Sequence, residues 1–157
     1  MFSMFLRLTF IASTLCAASF YAFGADSTVL GGELFDKGIR LGDDEIKALI
    51  VNDAEVEQIN GSTGGIRRWK NNSDGKFVAS RIAATGGAGR PVTGQGEWKL
   101  TDNGQYCVQI EWRPNGRGPE QENWCRALWK YDNAIFLAPS DLAANREKKY
   151  GQVKFTK

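Results

Sequence analysis

The sequence predicts a mainly β fold: an antiparallel meander forming a small barrel or sandwich, with one short N-terminal helix. Three observations carry that expectation. Short stretches rich in Val, Ile, Phe, Tyr and Trp recur from residue 65 onward, separated by Asn, Asp and Gly turns. Two cysteines, Cys107 and Cys125, sit in two such stretches either side of a turn-rich segment, as a disulfide across a hairpin would require. Only one run, residues 43–50, carries clear helical signals.

Residues 1–25 read as a secretory signal peptide. Arg7 precedes a run without charge from Leu8 to Phe23, and Ala22, Gly24 and Ala25 supply the small-residue exit. Cleavage falls after Gly24 or Ala25, and Cys16 leaves with the signal. The run is short for a membrane anchor and carries Ser13, Thr14 and Ser19. The mature chain, residues 26–157, then has the size of one domain. Its two remaining cysteines pair in an oxidising compartment, so the expected location is periplasmic or secreted. No stable membrane insertion is expected once the signal is removed.

Residues 26–42 are Gly-rich and read as an extended arm or edge strand. In residues 43–50 the early acids suit the positive end of a helix dipole, and Ile46, Leu49 and Ile50 form one apolar stripe, with Asp43 as the cap and Asn52-Asp53 as the stop. Strands are expected at 65–70 and 76–83, at 97–101 and 106–112, at 124–131 and 134–138, and at 152–156. The hairpin around Gly104 allows a choice of register. A three-residue loop pairs Leu100 with Tyr106 and Trp98 with Val108, which puts both apolar rows on one face; a two-residue loop separates them. Burial favours the former, with Gly104 left-handed and Cys107 on the opposite face. Apolar residues on both faces of 124–131 imply that both sides of the sheet are partly covered. Residues 85–96 read as a flexible Gly-rich loop.

Functional signals are sparse. The chain has no histidine, which excludes Ser-His-Asp and Cys-His catalysis and the usual His-built zinc sites. Bonded cysteines leave no free thiol and no thiolate metal cluster. No catalytic residue, metal or cofactor is therefore expected. Carboxylate chemistry would have to use Glu97, Glu111, Glu120 or Glu122. The glycines of 86–96 lack the Gly-Lys-Ser/Thr ending of a phosphate-binding loop. Arg67-Arg68-Trp69-Lys70 mixes basic and aromatic residues, but export and near-balanced charge argue against nucleic acid. Of the five tryptophans, Trp98, Trp112 and Trp129 read as core, whereas Trp69 and Trp124 lie beside polar residues, where a ring could stack on a ligand.

Several short motifs follow one another: Asp74-Gly75, Gly96-Glu97-Trp98, Gln105-Tyr106-Cys107, then Cys125 before an aromatic strand ending at Tyr131. In this order, after an export signal and a short acidic helix, they resemble the exported proteobacterial family known only as domain of unknown function 995. The resemblance covers roughly residues 41–138. It implies a periplasmic β domain with no assigned activity, and it supplies no catalytic residues. The expected function is non-enzymatic binding of a small envelope ligand, glycan or protein partner. A carboxylate-dependent hydrolase acting on envelope polymers and a structural or adaptor protein are the alternatives.

Overall fold

The computed structural model describes residues 27–50, 53–82 and 91–157. The signal segment with Cys16, the Asn52 stop and residues 85–90 of the Gly-rich 85–96 stretch lie outside the described residues. The elements run β1 (Thr28–Leu30), α1 (Gly31–Lys37), β2 (Ile39–Arg40), α2 (Asp43–Ile50), β3 (Glu55–Ile59), β4 (Ile66–Lys70), β5 (Lys76–Ile82), β6 (Val92–Leu100), β7 (Tyr106–Arg113), β8 (Glu120–Tyr131), β9 (Ala134–Ala138), a 3₁₀ turn (Ala143–Asn145) and β10 (Lys149–Thr156).

Strands β3 to β10 pair antiparallel in chain order, and β10 returns to β3, which closes an eight-stranded barrel. Barrel rather than sandwich is the outcome. Among the described residues, closure leaves only the short flanking strands β1 and β2 at edges.

Strand alternation assigns the faces. Tyr106, Val108, Ile110 and Trp112 of β7 are buried in the lumen, while Gln109 and Arg113 face out. Leu100 pairs with Tyr106 and Trp98 with Val108, as the apolar row demands. Gly104 has φ 69°. Cys107 and Cys125 are direct partners across β7 and β8 and form the disulfide on the outer face.

Helix α2 closes one end of the barrel. Its Ile46 and Ile50 are fully buried against Trp69, Phe77, Tyr106 and Val153. The cap differs from expectation: Glu45 reaches back to accept from the Gly42 N–H (2.9 Å), and Asp43 is the first helical residue. Asn71, fully buried, fastens this end. Its amide donates to the Ile50 carbonyl (3.3 Å), and its Oδ1 accepts from Tyr106 OH (2.7 Å) and Trp69 Nε1 (3.0 Å).

Two local readings are corrected. Residues 26–42 are not one extended arm: α1 lies against the outer face of β8, β9 and β10, where Leu34 packs with Val29, Phe136, Ala138, Leu142 and Tyr150. This second cluster explains why β8 is apolar on both faces. Residues 92–96 are not loop but the start of β6. A side chain at Gly96 would put its Cβ 2.5 Å from Phe77 Cζ and 2.3 Å from the Gln109 carbonyl, so the strand keeps glycine to admit the ring.

Candidate functional site: the polar mouth of the barrel

The end opposite α2 is built differently. Lumen-facing positions there carry polar residues: Gln58 on β3, Arg67 on β4, Arg81 on β5, Glu120, Glu122 and Arg126 on β8. The register fixes this. Gln58 pairs with Arg67, Arg67 with Arg81, and Trp112 with Glu120, each sharing its face with core residues two positions along its own strand.

Glu122 is the hub. Its Oε1 accepts from Arg67 Nη1 and from Trp124 Nε1 (3.2 Å), and its Oε2 accepts from Trp112 Nε1 (2.9 Å). Arg67 and Glu122 belong to strands separated by β5, β6 and β7, so their ion pair crosses the lumen. Arg81 makes a parallel link to Glu120 and lays its guanidinium over the Trp112 ring, 4.8 Å from the centroid. These links close one side of the mouth.

The other side is open. A cavity of about 830 Å³ is lined by Gln58, Arg67, Glu122, Trp124, Arg126 and Tyr150, with residues 147–149 along its rim. This is an ordinary size for a small-molecule site. Four cations (Arg67, Arg126, Lys148, Lys149) face two carboxylates (Glu122, Glu147), which leaves the cavity positive. Two side chains at its edge end in polar atoms closed off from solvent. Gln58 Oε1 and the Tyr150 hydroxyl are buried without a partner among the described residues. Burial raises the Tyr150 pKa, and the nearby positive charge of Arg126 opposes that rise. The Arg126 side chain makes no hydrogen bond or ion pair among the described residues.

The two tryptophans singled out from sequence part company. Trp124 lines the cavity, edge-on to Trp69 and Tyr106. Trp69 is not an exposed platform: it is 4 % exposed, with its N–H held by Asn71 and by Tyr106 OH (2.9 Å). Residue 69 sits deeper because β4 turns its odd positions inward, and the chain beyond it is covered by α2. The four candidate acids do not converge either. Glu97 and Glu111 face outward, Glu111 bonded to Arg113 (3.0 Å) and Gln121 (3.1 Å), while Glu120 and Glu122 are held by arginines. Among the described residues no cluster of His, Cys, Asp or Glu could hold a metal ion, and no helix is long and apolar enough to cross a membrane.

Gln58, Arg126 and Tyr150 were not singled out from the sequence. The available signal was strand parity: Arg67 shares a face with Trp69, and Arg126 with Trp124, so an arginine two positions from a buried ring had to point into the lumen.

A family model described as Protein of unknown function (DUF995) matches residues 41–141, and the chain belongs to that family. No curated protein and no solved structure matches the chain.

Proposed function

We propose that this DUF995 protein is an exported, non-enzymatic binding domain that takes a small envelope ligand into the polar mouth of its barrel. The observation that supports the reading is a cavity of about 830 Å³ whose lining includes Trp124 and an arginine, Arg126, with no ion-pair partner among the described residues. Export rests on residues 1–25, and the Cys107–Cys125 bond fits an oxidising compartment.

The alternatives have less support. Glu122 already accepts three hydrogen bonds, which suits holding the wall rather than moving a proton. An adaptor working through a long bare sheet edge finds no such edge among the described residues.

The test is a thermal-shift and fluorescence screen with neutral, cationic and anionic small molecules extracted from the cell envelope. At least one should bind saturably, and Trp124→Ala and Gln58→Leu should each weaken it. A screen without any binder, or binders indifferent to both substitutions, would refute the cavity as the site. Cell fractionation checks export separately.

A further inference from the structure

We infer that the ligand of this cavity is a small anion of the sugar-acid or sugar-phosphate class, with its negative group on Arg126 and its sugar face on Trp124. The inference rests on the cavity reading above and adds the chemistry of the occupant.

Two features of the wall specify that chemistry. The first is charge. Arg67 is committed to Glu122, but Arg126 has no carboxylate partner, and Lys148 and Lys149 stand on the same rim. An arginine inside a barrel lumen is desolvated enough for an anion to gain more from it than from a surface lysine, and its planar fork matches carboxylate and phosphate oxygens. The second is Trp124. Its N–H is already given to Glu122, so what it offers the cavity is apolar ring surface, suited to the C–H face of a sugar. A neutral sugar would cover Trp124 but leave Arg126 without a counter-charge.

The experiment is calorimetric titration of the purified protein with D-glucuronate, D-glucose 6-phosphate and D-glucose at low and moderate salt. One of the two anions should bind at one site per chain, at least tenfold more tightly than glucose, and more weakly as salt rises. The two anionic arms separate carboxylate from phosphate recognition. Arg126→Gln should weaken the anion about ten- to hundred-fold, as expected for a lost hydrogen bond to a charged group. Arg126→Lys should recover part of that loss. Arg117→Gln, the same charge change on the β7–β8 loop away from the cavity, should leave affinity unchanged. Melting curves establish that each variant is folded. Glucose binding as well as either anion, Arg126→Gln binding like the parent, or no anion binding at millimolar concentration overturns the inference. If both anions fail while a neutral compound binds and depends on Trp124 and Gln58, the cavity is still the site and only its assigned chemistry is wrong.

Discussion

Replacing Glu122 by Leu tests the architecture of the mouth most directly. The carboxylate holds three donors, so its loss strands the Arg67 guanidinium and two indole N–H groups at once. Removing one partner of a fully buried ion pair costs about 3–5 kcal/mol. The side chains of Arg67 and Glu122 keep 17 % and 24 % exposure, and solvent reaching them reduces that figure to about 2 kcal/mol. Trp124 borders the cavity and can find water, but Trp112 is fully buried, and its orphaned N–H adds roughly 1 kcal/mol more. The expected cost is therefore about 3 kcal/mol. Arg67→Met should cost only about 1 kcal/mol, because Glu122 keeps both indole donors. Urea unfolding followed by far-ultraviolet circular dichroism reads the difference. With a slope of about 2 kcal/mol per molar, Glu122→Leu should lower the midpoint by about 1.5 M and Arg67→Met by about 0.5 M. Equal shifts for the two variants would show that Glu122 is not the hub and would refute the reasoning.

Three further outcomes follow from the same structure. Gly104 has φ 69° and its missing Cβ would lie 2.4 Å from Asp43 Oδ1, so any side chain must displace that carboxylate; Gly104→Val should cost about 1–2 kcal/mol more than Gly104→Asn, which tolerates the left-handed region, and equal melting temperatures would contradict this. Reducing the Cys107–Cys125 bond should cost about 2–5 kcal/mol, while protein recovered from the periplasm should show no free thiol by mass spectrometry; alkylation of both cysteines without reductant would end the claim. Desolvation holds the Tyr106 pKa well above its ordinary value, against the lowering effect of its bonds to Trp69 and Asn71. Its neutral form is thus favoured in the folded chain. That contribution is complete below the unfolded value near 10 and is lost as pH climbs from there, by up to about 1.4 kcal/mol per pH unit. Unfolding midpoints between pH 9 and 11.5 should fall, and Tyr106→Phe should flatten the decline apart from a same-signed part from Tyr150.

Where side chains alternate cleanly, the fold was legible. The row from Tyr106 to Trp112 set the β6–β7 register, and with it the face of Cys107. The stripe Ile46, Leu49, Ile50 set the plugging helix. Legibility failed where structure depends on distant chain. Helix α1 has no side-chain cap; its first N–H groups are satisfied by the carbonyls of Lys148 (2.8 Å) and Arg146 (2.9 Å), which no local signal announces. Strand β3 was overlooked because Gln58 occupies a lumen position where an apolar residue would have marked the alternation. The same substitution that hid the strand is what makes the wall polar. The cavity draws on β3, β4, β8 and β10, so its residues are adjacent only once the barrel closes.

The two ends of the barrel solve one problem in opposite ways, and the difference bears on function. An eight-stranded barrel leaves a lumen that side chains can fill. At the α2 end they do, with Ile46, Ile50, Trp69, Phe77 and Tyr106. At the mouth the chain spends the same space on ion pairs strung across the lumen, although apolar replacements of such pairs are often neutral or stabilising. Stability alone therefore gives no reason for Arg67 and Glu122; the proposed ligand site would supply one, as a wall that has to stay polar and fixed. The double variant Arg67→Met/Glu122→Leu separates the two accounts. It should unfold within about 1 kcal/mol of the parent, recovering most of what Glu122→Leu loses by itself, because no unpaired charge remains. Its affinity for whatever the parent binds should nonetheless fall about tenfold or more, since Trp124 loses the carboxylate that fixes its ring against the cavity. Binding that survives in a stable double variant would mean that the ion pair serves the barrel and not the ligand.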